Sequence, residues 1–260
     1  MEILLLALVG AFAGVIAGLV GLAGGIVVVP ALTWMYGPDA LHSAIVISWF
    51  SVLFNSIGAV SKQLRMRTPV ERKQLISGAR WFLIGAVVVT PLISVLASEA
   101  KHLVNKELVA VLQLCLAAVM FWPISEQARA RTPNAALDAS FGGIIGGVST
   151  LIGVGGGTYT IAYFVYGAGA RFRDAIATAN LTGLTIGTLS VVGYLSSQVL
   201  FQQPAHEAGP ISIYGMAAII VTGVVAAPLG VRLSQKLPTK TLRQILIFAL
   251  MVSAGRLLWT

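Results

Sequence analysis

Charge is what this sequence has least of. Only 10% of its 260 residues are Asp, Glu, Lys or Arg, and 57% are hydrophobic, whereas a soluble protein carries about 25% charged residues. Stretches of about 20 residues without a formal charge match the ~30 Å hydrocarbon core of a bilayer. The composition therefore predicts an all-α integral membrane protein surrounded by lipid. The uncharged stretches are 3–22, 43–61, 81–98, 108–122, 139–157, 175–200 and 211–231.

Cysteine and mid-span acids and bases are also scarce. The single Cys115 excludes an internal disulfide, and the middles of the spans lack Asp, Glu, His and Lys, which general acid–base catalysis needs. We therefore expect no enzyme. His42, His102 and His206 have no metal-ligand spacing, so no metal or cofactor is expected. The net charge of +8 resides in loops between spans, so nucleic acid is not an expected partner.

Glycine, by contrast, is abundant, and one glycine-rich motif occurs twice. Residues 18–30 read GLVGLAGGIVVVP and residues 150–161 read TLIGVGGGTYTI. Gly21 and Gly153 differ by 132 positions, and the same offset aligns the flanking glycines; further on, Pro91 resembles Pro228. The chain therefore divides into a first repeat at 1–125, a cytoplasmic linker at 126–137 and a second repeat at 138–260.

Each repeat contains five apolar segments, the second of which is short. That short segment has about 11 residues, near 16 Å as a helix, which is half a bilayer. We therefore predict glycine-broken or re-entrant helices. The segments are 3–22, 26–36, 43–61, 75–98 and 103–122 in the first repeat, and 139–157, 158–168, 174–200, 211–232 and 241–259 in the second.

The basic residues predict an orientation. Fourteen of the 17 Lys and Arg residues fall in or near the 62–80, 129–131, 171–173 and 232–243 regions, which the positive-inside rule assigns to the cytoplasm. Both termini and the loop at 198–210 are then external. The two repeats acquire opposite orientations, as in many secondary transporters. The expected location is the inner (cytoplasmic) membrane, with multiple crossings.

The twin glycine clusters predict a substrate site. A broken helix exposes backbone N–H groups at the N-terminus of the following half-helix, and these bind anions without a formal cation. The spacing excludes a P-loop or dinucleotide fingerprint. Close helix packing is the alternative, and it is favoured for Gly10, Gly14 and Gly18, which suit contacts within the chain or between the subunits of a homo-oligomer. The predicted site glycines are Gly21, Gly24, Gly25, Gly153, Gly155, Gly156 and Gly157, with Thr158.

Polar residues of the third segments are the other candidates. Ser48, Ser51 and Asn55, at i, i+3 and i+7, share one helical face, and Thr178, Thr182 and Thr185, at i, i+4 and i+7, share a face of the other third segment. These side chains either make helix–helix hydrogen bonds or form a polar wall opposite the broken helices. An amide is costly in lipid without partners. The candidates are Ser48, Asn55, Thr178 and Asn180.

The twin motifs resemble those of the TauE/SafE family, the sulfite/organosulfonate exporters. Residues 17–25 with Pro30 resemble its first motif, 149–157 its second, and 44–48 and 175–179 its helix pattern in part. The resemblance covers nearly the whole chain. It implies a transporter of a small sulfur-containing anion such as sulfite, sulfoacetate or a related sulfonate, exporting by alternating access. An anion channel or a carboxylate transporter with the same midplane site is the alternative.

Overall fold

The computed structural model describes residues 2–22, 24–99, 105–122, 134–200 and 211–259, and these residues form helices without strands. Seven described helices (α1, α3, α4, α6, α8, α9 and α10) are long and apolar enough to cross a membrane. The predicted all-α membrane fold is thus confirmed. The helices are α1 (Glu2–Val20), α2 (Gly25–Tyr36), α3 (Leu41–Met66), α4 (Pro69–Glu99), α5 (Lys106–Met120), α6 (Ala135–Ile152), α7 (Gly157–Ala162), α8 (Phe172–Leu200), α9 (Ile213–Lys236) and α10 (Thr239–Trp259).

Both predicted helix breaks are present at equivalent positions. Helix α1 ends before Gly21, which has a φ of 69°, and α2 follows Gly24, which has a φ of 85°. Helix α6 likewise ends at Gly153 with a φ of 70°, and α7 follows Gly156 with a φ of 73°. Glycine adopts this left-handed conformation without a steric penalty. These glycines therefore stop one helix and start the next.

Each break turns the chain back towards the end it came from. In the first repeat the Tyr36 hydroxyl at the end of α2 donates to the carboxylate of Glu2 at the start of α1. In the second, Tyr163 donates to Asp138 near the start of α6; Tyr163 opens a π-helical turn, Tyr163–Gly167, that continues α7. The pairs α1–α2 and α6–α7 are therefore re-entrant hairpins.

Several helix ends meet at one end of the bundle, which we call the basic end. Arg67 after α3 pairs with Asp174 of α8 at 3.0 Å, and Arg173 donates to the carbonyl of Leu237 between α9 and α10 at 2.9 Å. The open end of the α6–α7 hairpin also lies at the basic end. The hydroxyl of Tyr166, which follows α7, donates to a carbonyl at the end of α5, and so does the Arg243 guanidinium of α10.

The α1–α2 hairpin opens at the opposite end. Gly10, in the first half of α1, packs against Ile219 near the start of α9, and α9 reaches the basic end only at its C-terminus. The two hairpins thus enter from opposite ends, as the predicted inverted repeat requires. The predicted linker at 126–137 and external loop at 198–210 lie mostly outside the described residues, so the repeat boundaries stay a prediction.

The repeats interlock through glycine. A Cβ added at Gly10 would overlap the carbonyl oxygen of Ile219, and one at Gly142 would overlap that of Phe82. The two contacts are equivalent. Gly142 of α6 follows Gly10 of α1 by 132 residues, and Ile219 of α9 follows Phe82 of α4 by 137 residues. Gly14 and Gly18 also pack on α9. All three α1 glycines are therefore used within the chain, where small residues allow close helix approach.

Candidate functional site

The two helix breaks lie directly against each other in the centre of the molecule. A Cβ added at Gly25 would overlap the carbonyl oxygen of Gly153, and one at Gly157 would overlap that of Gly21. Gly157 follows Gly25 by 132 residues, and Gly153 follows Gly21 by the same number. Each repeat therefore makes the same contact with the other. Backbone touches backbone at both places, so a side chain at either first helical residue has no space.

Helix α3 caps the end of α6 with two side chains. The Ser48 hydroxyl donates to the carbonyl of Gly153, and the Trp49 indole N–H donates to the carbonyl of Thr150 at 3.0 Å. The last carbonyls of a helix have no partner within it, so these bonds satisfy groups that lipid cannot. The sequence analysis missed Trp49, because a tryptophan in an apolar span looks like packing.

Replacing Ser48 with alanine should therefore lower stability. The variant leaves the buried Gly153 carbonyl unpaired, which costs about 2 kcal/mol. Ser77→Ala is the control, because Ser77 is exposed and bonds only its own helix. Thermal unfolding in detergent measures both variants. Equal unfolding temperatures for Ser48→Ala and Ser77→Ala would contradict a capping role.

Asn55 is wedged against the first break. Its Nδ2 donates to the Ser51 hydroxyl at 3.0 Å, and a Cβ added at Gly24 would lie 2.5 Å from that nitrogen. Its Oδ1 abuts Gly223 of α9 and has no hydrogen-bond partner among the described residues. The equivalent place beside Gly156 is filled by the apolar Ile186. One break thus carries an amide and the other does not.

The polar faces of α3 and α8 do not consist of equivalent residues. Ile45 packs on Gly153, and the carbonyl of Ile176 lies 3.1 Å from a Cβ added at Gly21. These exchanged contacts align α3 with α8 at an offset of 131, which pairs Ser48 with Ala179 and Asn55 with Ile186. The hydroxyls of Thr178, Thr182 and Thr185 instead donate to carbonyls four residues earlier in α8.

Asn180 presents an unpaired amide in the interior. It is 0% exposed, and neither Oδ1 nor Nδ2 has a hydrogen-bond partner within the described part of the chain. It lies one helical turn beyond Ile176, the residue against Gly21. Its equivalent in α3 is Trp49, which caps α6. At the second break, the buried hydroxyls of Ser149, Thr158 and Thr160 likewise have no hydrogen-bond partner among the residues that the structure describes.

A cavity of about 560 Å³ opens at the basic end. Its lining includes Ile176, Ala177 and Thr178 of α8, and the carbonyl of Ile176 lies against Gly21. The cavity therefore reaches the α8 segment beside the first break, although none of the described glycines of either break lines it. Its charged lining residues are Arg67, Glu71, Arg171, Arg173 and Asp174.

The structure brings most of the predicted site residues together. Ser48 and the glycines at 21, 25, 153 and 157 are in direct contact, and Asn55 touches Gly24. Gly155 and Gly156 form the second turn, with φ values of 74° and 73°, and Thr158 is buried in the first turn of α7. Thr178 lines the cavity instead. A substrate role for all of them stays a prediction.

Comparison with known proteins identifies the family of the chain. The chain is 27% identical over 260 residues to a "Probable membrane transporter protein" of Haemophilus influenzae (strain ATCC 51907 / DSM 11121 / KW20 / Rd), covering 97% of this chain and 96% of the relative. No solved structure matches this chain. The family model described as "Sulfite exporter TauE/SafE" matches residues 6–257. Because that match spans nearly all of its length, the chain belongs to the TauE/SafE family of membrane transporters.

Proposed function

We propose that this chain carries a small sulfur-containing anion, such as sulfite, sulfoacetate or a related sulfonate, out of the cell by alternating access. The basic end faces the cytoplasm of the inner membrane, and both termini lie outside. The observation that carries the proposal is the cavity at the basic end, whose lining includes Ile176 of α8, the residue whose carbonyl lies against Gly21 at the first break. The sulfur chemistry comes from the family and not from the geometry.

Neutral donors make the centre suitable for an anion. Helix α2 is 12 residues long, and its N-cap Gly24 provides no side-chain cap, so its first N–H groups carry the partial positive charge of the helix end. The buried amide of Asn180 in α8 and the buried hydroxyl of Ser149 beside Gly156 are further donors that have no hydrogen-bond partner among the described residues. An oxyanion held by such groups needs no buried cation, which would itself be costly.

Contact between the breaks favours a carrier over a channel. Gly25 lies against Gly153 and Gly157 against Gly21, so a substrate can pass between the hairpins only if they separate. A channel filter would instead hold a lined passage open to the ion. Movement of one repeat relative to the other, as in other inverted-repeat transporters, provides the separation.

The arginines of the cavity should attract the anion. Replacing both Arg171 and Arg173 with glutamine removes two positive charges from the mouth, which should raise the apparent KM about threefold to tenfold at low salt and reduce its salt dependence. Lys73→Gln is the control, since Lys73 lies near the start of α4 and outside the cavity lining. An equal effect of Lys73→Gln would show a general surface-charge effect and contradict steering by the cavity.

Counterflow in proteoliposomes tests the function. Purified protein is reconstituted with unlabelled sulfite, sulfoacetate, taurine, thiosulfate, acetate or chloride inside, and uptake of the labelled anion is followed. A carrier accumulates label transiently above equilibrium, whereas a channel only equilibrates it. Counterflow with a sulfur anion that disappears in the Gly25→Leu plus Gly157→Leu variant supports the proposal. Counterflow with acetate alone would assign a carboxylate transporter, and simple equilibration would assign a channel.

A further inference from the structure

We propose that the first break binds an alkali cation, Na⁺ or K⁺, at the C-terminal end of α1. Its ligands are the carbonyl oxygens of Gly18 and Gly21 and the side-chain amide oxygens of Asn180 and Gln63. The site rests on the function proposed above, because the cation assists an anion that is carried at the same break. It follows from a difference in how the protein caps the two helix ends.

Two donors of α3 cap the C-terminal end of α6 at the second break. The Ser48 hydroxyl donates to the carbonyl of Gly153, and the Trp49 indole donates to the carbonyl of Thr150 at 3.0 Å. The last carbonyls of a helix have no partner within it and carry partial negative charge. Because the protein itself satisfies these two carbonyls, the end of α6 needs no ligand.

The end of α1 lacks such caps. The residues at the equivalent positions, at offsets of 132 for α1 and 131 for α8, are Gly18, Gly21, Ala179 and Asn180. Ala179 has no hydroxyl, although its Cβ lies only 3.0 Å from a Cβ added at Gly21. Asn180 is fully buried, and neither of its polar atoms has a partner among the described residues. Within the same part of the chain, no group donates a hydrogen bond to the carbonyl of Gly18 or Gly21.

A pair of amides also replaces a pair of aromatic rings between α3 and α8. Trp49 packs edge-on against Tyr194, with ring centroids 5.9 Å apart. The offset of 131 places Asn180 at the position of Trp49 and Gln63 at that of Tyr194. Gln63 is 6% exposed and lines the cavity at the basic end, as does Thr178, two residues before Asn180. Two smaller polar side chains therefore stand where two rings fill the space in the other repeat.

Neutral oxygens of this kind suit a monovalent cation. In transporters with broken helices, C-terminal helix ends and unwound backbone carbonyls coordinate such ions. Divalent cations favour carboxylate ligands, and Asn180 and Gln63 bring amide oxygens only. The cavity that Gln63 lines gives the ion a path from the basic end. Unlike the charge of a buried lysine, that of a bound ion enters and leaves with the substrate.

The cation also orients the Asn180 amide for the anion. When Oδ1 of Asn180 ligates the cation, Nδ2 is left to donate a hydrogen bond to the anion. Opposite charges held close together in a site of low dielectric attract each other strongly. Each ligand therefore raises the affinity of the protein for the other by the same factor.

Thermal unfolding without a substrate anion tests the site. Choline chloride is exchanged for NaCl or KCl at constant ionic strength, and the unfolding temperature of the purified protein is followed in detergent. Ala179→Ser restores the hydroxyl that Ser48 supplies at the other break, so it should cap the Gly21 carbonyl and displace the cation. Ala175→Ser is the matched control, since Ala175 is equally buried one turn earlier in α8 and is not among the atoms nearest Gly21. Gln63→Met removes one ligand.

We expect Na⁺ or K⁺ to raise the unfolding temperature of the unmodified protein by about 3 to 6 °C at ten times its Kd, and the cation that does so is the one bound. Ala175→Ser should keep this shift and Ala179→Ser should lose it, while unfolding in choline no earlier than the unmodified protein. Gln63→Met should raise the half-saturating cation concentration about tenfold.

The cation site is overturned if neither ion shifts the unmodified protein, which would leave water at the end of α1. It is equally overturned if the shift survives in Ala179→Ser, disappears in Ala175→Ser, or has an unchanged half-saturating concentration in Gln63→Met. A cation shift without counterflow of any sulfur anion would remove the proposed substrate and leave the cation site. Counterflow without a cation shift would remove the cation site alone.

Discussion

Replacing Gly157 with alanine is expected to lower the unfolding free energy by about 3 kcal/mol and to abolish transport. The added methyl group would overlap the carbonyl oxygen of Gly21, and backbone cannot move aside as a flexible side chain can. For a chain of this size the unfolding temperature should fall by about 6 to 12 °C. Thermal unfolding in detergent and counterflow in proteoliposomes measure the two effects.

Gly255→Ala is the matched control. Gly255 lies within α10, and a Cβ added there meets no described atom within 4 Å, so alanine should leave stability unchanged or raise it by up to about 1 kcal/mol. Gly25→Ala should resemble Gly157→Ala, because it makes the exchanged contact with Gly153. If Gly157→Ala unfolded at the same temperature as Gly255→Ala, the breaks would not be in contact in the protein.

Replacing Asn180 with leucine should separate function from stability. The amide is fully buried with both polar atoms unpaired among the described residues, so an apolar side chain of similar size should raise the unfolding free energy by about 1 kcal/mol. Anion binding should weaken at least about tenfold, because a hydrogen bond to a charged group contributes about 1.5–3 kcal/mol. Thermal shift with sulfite or sulfoacetate, compared with the unliganded protein, reports both quantities.

The parallel variant is Asn55→Leu. Asn55 bonds Ser51 and is wedged between Gly24 and Gly223, so a branched side chain should destabilise the protein by about 1–3 kcal/mol. The two asparagines are therefore expected to change stability in opposite directions. If Asn180→Leu kept full anion affinity, Asn180 would not belong to the substrate site, whatever its effect on stability.

Membership of the TauE/SafE family confirms the predicted membrane transporter. The helices were also well predicted: the segment 43–61 lies within α3 (Leu41–Met66), and 211–232 largely overlaps α9 (Ile213–Lys236). The membrane location and the positions of the helices depend on the transfer of local apolar stretches into lipid. The sequence therefore determines them without tertiary contacts. The doubled glycine motif likewise located both helix breaks, because few residues other than glycine tolerate a positive φ.

Hydrogen-bond partners across the repeats were decided by the tertiary structure. The family-like helix pattern already set 44–48 beside 175–179, and the contacts of Ile45 and Ile176 with the breaks follow that register, which pairs Ser48 with Ala179, a residue without a hydroxyl. Trp49 was overlooked because its carbonyl partner lies 101 residues away along the chain. Local patterns record which residues enter the membrane and where helices stop. Which polar groups find partners, and which remain unpaired, depends on how the two repeats pack.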